Sequence, residues 1–396
     1  MKILKGFYDK IEKCENIKID KMDIYVNVDK NKCNVMNADY LYKILVKTKK
    51  LYSFKPQGKT LHFNFHGAIF GDDAVVLYFE LIFMDLIEFG YKKIYIKFQN
   101  LYKYAVTNEL YNMSLLARSL KNGKLDCVLF SELYKKTYVE SECSFKYNDV
   151  MISNNCIRMT IKNDKNNKSM VSTIGGYIFD YLENLHVFDA EYIESVLRVS
   201  METIDNSLSH TDSDCYFSMK FCSSLINQEQ EPKLMLSIVI MNTDEKLIYS
   251  DLKYNYYKKT LGSYSMDLMS SALQNHKKYF NELYDEDFFM MISAFQKGIT
   301  TRKSSINSSG RGLTQIVKSI INKTEVDECY VYSGNRLLML NDKYLNLDAN
   351  GCVGFNDEKD YVKFPPNMNI LRKFEYYNCG TLYNLFLIYD RGEINE

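Results

Sequence analysis

Three polar residues in the second half of the chain recur every four positions. Glu202, Asn206 and His210 lie in residues 202–210, which read ETIDNSLSH. This spacing places them on one face of an α-helix. A carboxylate can orient an attacking hydroxyl group, and an amide oxygen can bind the Mg²⁺ that bridges phosphates. The pattern therefore predicts a site for ATP hydrolysis or phosphoryl transfer, with a plain solvated helix face as the alternative.

A second segment is rich in glycine and lies directly before a predicted helix. Residues 308–313 read SSGRGL and end a polar loop that begins at residue 298. Backbone N–H groups left open by glycines, together with a helix N-terminus, suit phosphate oxygens. A flexible turn, with glycines placed for their permitted φ angles, is the alternative. The candidate phosphate contacts are Gly310, Arg311, Gly312 and Leu313.

A third segment, 379–381 (CGT), leads into the apolar stretch 382–389, which is predicted to be a strand. Glycine permits close approach of the backbone to a ligand, and the hydroxyl of Thr381 can hydrogen-bond to that ligand. A Gly-Thr pair alone carries little information. Its value comes from its position after the other two segments.

In this order and with these separations, the three segments resemble the N-box, the glycine-rich lid box and the terminal Gly-Thr strand of the GHKL (histidine-kinase-like) superfamily. The first segment is most similar to the ExxxNxxxH helix of anti-sigma-factor serine kinases. That resemblance implies that Glu202 is the catalytic base, that Asn206 binds Mg²⁺ and that His210 faces the nucleotide. Residues 297–305 similarly resemble the ATP lid, and residues 331–337 resemble a short hairpin before the final strand.

One box of that superfamily is altered in this chain. Where the family has an aspartate followed by two glycines, residues 240–247 read IMNTDEKL and contain no glycine. The family's aspartate accepts a hydrogen bond from the adenine amino group. Asn242 could accept it through its amide oxygen, and Asp244 could accept it if the strand ends later. Either Asn242 or Asp244 is therefore expected to accept the hydrogen bond from adenine.

The first half of the chain predicts a strand, a helix and a parallel strand. The periodicity changes from alternating to helical and back, and Gly90 is placed as a C-cap. The pattern resembles the STAS-like domains of anti-sigma-factor antagonists over about residues 55–130. The turn at 71–73 lacks a hydroxyl group, so phosphorylation there is not expected. The three elements are predicted at 60–70, 74–89 and 93–98.

The three polar segments all lie in the second of two predicted domains. A charged run at 162–168 predicts the linker between the domains. The expected fold class is α/β, with an N-terminal STAS-like α/β module at 1–165 and a GHKL α/β sandwich at 170–396, in which a mixed sheet is covered by helices. In the second domain, helices are predicted at 177–185, 189–210, 266–289 and 313–322, and strands at 216–222, 234–241, 328–332, 337–340 and 382–389.

Composition excludes several classes of partner. The 396 residues contain 50 Lys and Arg against 50 Asp and Glu, so no global positive field favours nucleic acid or an anionic membrane. The most apolar stretch, 74–89, contains acidic residues and is too short to span a bilayer. The ten cysteines form no CxxC pair. Reduced thiols in the cytoplasm are therefore expected.

The expected function is that of a GHKL-class protein that binds Mg·ATP and hydrolyses it slowly or transfers phosphate, as an ATPase or a serine/threonine-type kinase. Its cofactors are ATP and Mg²⁺. Its partner is a protein of unidentified kind, and a homodimer is left open. One alternative is a catalytically inactive nucleotide-sensing regulator or adaptor, in stress signalling or phage defence. Another is an interaction protein whose fold has lost its ligand.

Overall fold

The chain divides into two compact units, Met1–Thr160 and Ile161–Glu396. The boundary between the two units along the chain falls within the strand Cys156–Ile161. The structure, a computed structural model, describes residues 17–27, 35–36, 38–64, 69–70, 73–91, 93–97, 127–129, 144–146, 150–152, 156–163, 169–224, 233–301, 313–314, 316–317 and 329–389.

The first unit contains a five-stranded sheet in the order β1-β2-β4-β6-β7. Strands β2, β4, β6 and β7 pair in parallel, and β1 pairs with β2 antiparallel. Strands β8, β9 and β10 form an antiparallel meander. The elements are β1 (Lys18–Asp20), β2 (Asp23–Asn27), β3 (Val35–Met36), α1 (Ala38–Lys49), a 3₁₀ turn (Lys50–Ser53), β4 (Thr60–Asn64), β5 (Ile69–Phe70), α2 (Asp73–Phe89), β6 (Lys93–Lys97), β7 (Cys127–Leu129), β8 (Ser144–Lys146), β9 (Val150–Ile152) and β10 (Cys156–Ile161).

The predicted helix and second strand of the first unit are confirmed. The first strand, expected at 60–70, covers only 60–64, and residues 69–70 belong to β5, which pairs with β3 in a separate sheet. Strand β4 pairs in parallel with β6, and Thr60 lies opposite Lys93. Helix α2 connects them and is buried along most of its length, as its apolar sequence requires. Gly90 ends the helix at a φ of +121°, an angle that favours glycine. Inside the unit, the carboxylate of Glu80 in α2 pairs with Arg158 of β10.

The second unit contains strands in the order β13-β14-β12-β11, and each neighbouring pair is antiparallel. Residues 313–314 and 316–317 are helical. Short 3₁₀ turns occur at Lys277–Tyr279, Asp342–Tyr344 and Met368–Ile370. The longer elements are α3 (Ser169–Asn184), α4 (Ala190–Ser209), β11 (Cys215–Ser224), β12 (Lys233–Asn242), α5 (Ser250–Tyr257), α6 (Ser263–His276), α7 (Glu286–Ser293), β13 (Tyr330–Met339) and β14 (Leu371–Tyr389).

The core of the second unit lies between its strands and helix α4. Strand β12 has β11 on one side and β14 on the other, and its residues from Ile238 to Met241 are fully buried. Helix α4 packs on β11 and β12. Its apolar residues Val196, Val199 and Ile204 repeat at helical spacing and are buried. Burial of each such side chain stabilises the fold by about 1.5–3 kcal/mol.

Two predicted elements of the second unit are wrong. The single helix expected at 266–289 is two helices, α6 and α7, because the Asp285 side chain accepts a hydrogen bond from Phe288 N at 3.0 Å and starts a new helix. The short hairpin expected at 331–337 is instead part of the continuous strand β13. Gly334 adopts a φ of +65° at a shift in the register with β14, so it forms an irregularity within the strand and not a turn.

The architecture is mixed α/β. Within the described ranges, no helix is both long and apolar enough to cross a membrane. Five described cysteines, Cys156, Cys215, Cys329, Cys352 and Cys379, are free thiols and are buried.

Candidate functional site

Helix α4 presents the first group of site residues. It begins after Asp189, whose carboxylate accepts a hydrogen bond from Tyr192 N at 2.7 Å, and it ends at His210. Glu202, Asn206 and His210 are half-buried on one face of the helix. The neighbouring positions Thr203 and Ser207 are buried toward the sheet. The face of α4 that carries Glu202, Asn206 and His210 therefore lies beside the core and stays partly exposed to solvent.

The ends of β12 and β14 form the second group. Asn242 is the last residue of β12, and its Oδ1 accepts a hydrogen bond from Thr381 N at 3.2 Å. Gly380 precedes Thr381 with a φ of +79°. A Cβ atom at residue 380 would overlap both the backbone and the side-chain oxygen of Asn242. Only glycine fits this approach, so the Gly-Thr pair brings the backbone of β14 onto the amide of Asn242.

Ser333 of β13 connects these residues to the segment after β12. Its Oγ donates to the Gly380 carbonyl oxygen at 2.9 Å and accepts from Ile248 N at 3.1 Å. The Thr381 hydroxyl lies 2.9 Å from the same Oγ. Because the Ser333 proton goes to Gly380, Thr381 is the donor in this pair. The lone pairs of the Thr381 hydroxyl remain available to a ligand.

The segment between β12 and α5 is held by Asp244. One carboxylate oxygen accepts from Asp212 N at 2.5 Å, and the other accepts from Lys246 N at 2.9 Å. Both oxygens thus bind backbone donors, as is common for an aspartate in a turn. Asp244 is not among the residues that line the cavity described below. Its place in the structure explains the conformation of the turn and does not favour contact with a base.

His210 faces the acidic start of helix α5. Its Nδ1 lies 3.3 Å from Asp251 Oδ2, and both side chains are partly exposed. The backbone N–H of His210 donates to the Asn206 carbonyl oxygen and closes α4. The C-terminal end of α4 and the N-terminal end of α5 therefore meet through this pair.

These groups surround one cavity, which we call the α4 cavity. The empty space inside it, counted together with the open solvent at its mouth, is about 890 Å³. Its polar side chains come from α4, β12, α5 and β14 and from the segments that follow α4, β12 and α7. Apolar side chains cover the rest of its wall. The lining consists of Glu202, Asn206, Ser207, His210, Thr211, Asn242, Lys246, Leu247, Ile248, Asp251, Leu252, Ala294, Ile299, Thr300, Thr301, Leu313, Thr381 and Tyr383.

Most of the site residues predicted from the sequence lie in this lining. Glu202, Asn206, His210, Asn242, Leu313 and Thr381 all contribute to it, although they come from separate parts of the chain. Asp244 lies outside the lining. Gly310, Arg311 and Gly312 lie outside the described residues.

Sequence reasoning missed Lys246 and Asp251. Both line the cavity, and their ionisable groups bring one positive and one negative charge to it. Lys246 follows the altered box after Asn242, which is the signal that could have found it. Asp251 lies in the first turn of α5. Nothing in that helix's sequence distinguishes Asp251 from an ordinary acidic residue near a helix N-terminus.

The charged groups of the cavity differ in their partners. The carboxylate of Glu202 has no recorded partner within the described ranges, and neither does the ammonium group of Lys246. No cluster of three or more His, Cys, Asp and Glu residues that could hold a metal ion occurs in the described part of the chain. The site therefore offers single oxygen ligands and one cation, and not a complete metal cage.

Comparison of the chain with protein-family models, with curated proteins and with solved structures gives no match.

Proposed function

We propose that the α4 cavity binds Mg·ATP and that the chain hydrolyses ATP slowly or transfers its phosphate, as a GHKL-class ATPase or kinase. One observation carries the proposal. Three separate sequence segments contribute Glu202, Asn206, Leu313 and Thr381 to the same cavity. Their convergence supports a shared ligand.

The residues present fit a magnesium-bound triphosphate. Mg²⁺ prefers oxygen ligands and is usually held by one or two protein groups together with phosphates and water. Asn206 offers one such amide oxygen, which agrees with the absence of a metal cage within the described ranges. Lys246 supplies a positive charge for phosphate. The bound ion would neutralise charge on the phosphates during transfer.

Glu202 is suited to the role of general base. It lies one helical turn from Asn206 and lines the same cavity. Because its carboxylate has no recorded partner in the described part of the chain, it is available to accept a proton from a water molecule or a substrate hydroxyl group. The hydrogen bond between His210 and Asp251 fixes the neighbouring histidine at the end of the same face.

A regulator that binds nucleotide without turnover is the second candidate. Asn242 occupies the position where the family carries an aspartate, and the segment after it contains no glycine. These departures affect the end of the site that would hold the base. They leave Glu202 in place, so the presence or absence of turnover separates the two candidates.

The first unit fits a STAS-like regulatory role in its coarse arrangement. Parallel strands β2, β4 and β6 follow one another in the sheet, and helix α2 connects β4 to β6.

Equilibrium dialysis with labelled ATP tests the main proposal. Saturable binding that is lost on chelation of Mg²⁺ is expected. Bound nucleotide should also raise the free energy of unfolding by RT ln(1+[L]/Kd), which is about 2.7 kcal/mol at a hundred times Kd. Absence of binding at millimolar Mg·ATP would contradict the proposal and favour a fold that has lost its ligand.

A further inference from the structure

The amide of Asn242 has a fixed orientation. A backbone N–H can only donate, and Thr381 N lies 3.2 Å from the Asn242 side chain, so the atom facing it must be the amide oxygen. The same oxygen packs against Gly380 so closely that no Cβ atom fits there. Oδ1 therefore already accepts a hydrogen bond from β14 and lies against the backbone of that strand.

The amide nitrogen is the other polar atom of this side chain. Asn242 is 3% exposed and lines the α4 cavity. Within the described ranges, its Nδ2 has no recorded acceptor. Nδ2 is not one of the fully buried, unpartnered side-chain atoms of the described residues, so it reaches the open space of the cavity, where a ligand with an acceptor could pair with it. At this point the cavity wall therefore offers a hydrogen-bond donor.

The described residues joined to Asn242 directly or through Ser333 are uncharged. Thr381 is the hydrogen-bond partner of Asn242, Tyr383 lies two residues further along the same face of β14, and Ile248 is joined to Thr381 through Ser333. The charged residues of the lining come from α4, α5 and Lys246. A purine base is flat and uncharged and has polar atoms along its edge. It fits the wall around Asn242, and a triphosphate fits the charged part.

We propose that Asn242 donates a hydrogen bond to the base, so that the cavity accepts purine nucleotides with a carbonyl oxygen at C6 at least as tightly as ATP. The C6 substituent of adenine is an amino group, which only donates, whereas that of guanine or hypoxanthine is an oxygen that accepts. An aspartate at residue 242 would present an acceptor and favour adenine. This inference rests on the proposed nucleotide-binding function.

Calorimetric titration of the wild-type chain with Mg·ATP, Mg·ITP and Mg·GTP at one salt concentration tests the inference. ITP differs from ATP at C6 and N1 and lacks the 2-amino group of guanine. We expect ITP to bind at least as tightly as ATP. In Asn242→Asp, the ratio of ITP affinity to ATP affinity should fall by about tenfold or more, because an acceptor then faces the C6 oxygen. Asn335→Asp, a charge control outside the lining, should leave the ratio unchanged.

Tighter binding of ATP than of ITP by the wild-type chain overturns the inference and leaves the nucleotide-binding function intact. An unchanged ratio in Asn242→Asp overturns it as well. Binding of no nucleotide at all removes the proposed function and the inference with it. The comparison of nucleotides on the wild-type chain decides the question even if the buried charge of Asn242→Asp prevents folding.

Discussion

The Ser333 hydroxyl group lies 2.9 Å from the Thr381 hydroxyl group and joins three segments of the second unit. Ser333 accepts from Ile248 N and donates to the Gly380 carbonyl oxygen. Ser333→Ala leaves the Ile248 N–H and the Thr381 hydroxyl without this acceptor. A loss of about 1–3 kcal/mol in the free energy of unfolding is expected, with weaker nucleotide binding. Urea denaturation and dialysis measure the two effects.

Ser237→Ala is the matched control for that substitution. Ser237 is buried in β12, which lies on the other side of β14 from β13, and it makes no side-chain hydrogen bond to another described residue. Its loss should cost much less than the loss of Ser333. Equal costs for the two substitutions would show that Ser333 acts only through packing.

Glu202 and Asn206 should give mutants that differ in kind. A general base acts on the reaction, whereas a metal ligand also holds the ground-state complex. Glu202→Ala should bind Mg·ATP about as well as the wild type and lose turnover by on the order of 10²-fold or more. Asn206→Ala should lose Mg²⁺-dependent binding. Dialysis and phosphate release, measured side by side, distinguish the two mutants.

Glu194→Ala serves as the control on the same helix. Glu194 is exposed and pairs with Arg198, away from the cavity lining. It should change stability by no more than about 0.5 kcal/mol and leave both binding and turnover unchanged. Wild-type behaviour of all three mutants would remove α4 as an active-site helix.

Lys246 should contribute to the binding of the phosphates. It lines the cavity, and no carboxylate partner is recorded for it in the described part of the chain. Lys246→Ala should weaken Mg·ATP binding by about tenfold, the effect of losing a hydrogen bond to a charged group. The affinity of the mutant should also depend less on salt concentration. Lys277→Ala, an exposed lysine outside the lining, should bind as the wild type does.

His276 makes the free energy of unfolding depend on pH. It is fully buried, with Nε2 2.8 Å from the Tyr361 carbonyl oxygen and Nδ1 2.5 Å from the Tyr284 hydroxyl. Nε2 therefore donates, because a carbonyl oxygen only accepts, and in the neutral ring Nδ1 accepts from the Tyr284 hydroxyl. Burial lowers the pKa of His276 to about 4.

The sign of the effect follows from the two states. The unfolded chain binds a proton at this residue below about pH 6.5, but the folded chain does so only below about pH 4. Stability from this residue is complete above pH 6.5 and is lost as the pH falls to 4, by about 3 kcal/mol. Urea denaturation of the wild type and of His276→Gln at pH 7.5, 6 and 5 should show a smaller decline in the mutant. His186→Asn, which replaces an exposed histidine, is the control. If the free energy of unfolding fell as much with pH in His276→Gln as in His186→Asn, this account would be contradicted.

The part of the fold predicted best from the sequence is local. The predicted helix at 189–210 and the hairpin of β11 and β12 agree with the structure, because a capping residue and a regular apolar period specify them. At Gly334, pairing with a distant strand decides the conformation, and the local sequence does not. The resemblance implied a short hairpin at 331–337, but β13 continues through Gly334 because it pairs with β14 on both sides of that residue.

The candidate site could be predicted only in part, for a related reason. Thr381 and Asn206 were recognisable from motifs, whereas Asp251 became visible only when α5 was packed near α4. The orientation of the Asn242 amide was also beyond the sequence. It depends on a backbone N–H that lies 139 residues further along the chain.

The central position of β14 has a consequence for synthesis. Strand β12 is made well before its partner, since Asn242 and Thr381 are 139 residues apart. Until β14 emerges from the ribosome, the edge of β12 that it will cover carries unpaired N–H and C=O groups beside fully apolar side chains. Such an edge can pair with other chains. The nascent second unit is therefore exposed to aggregation while most of it is being translated, and the α4 cavity is complete only after β14 has inserted between β12 and β13.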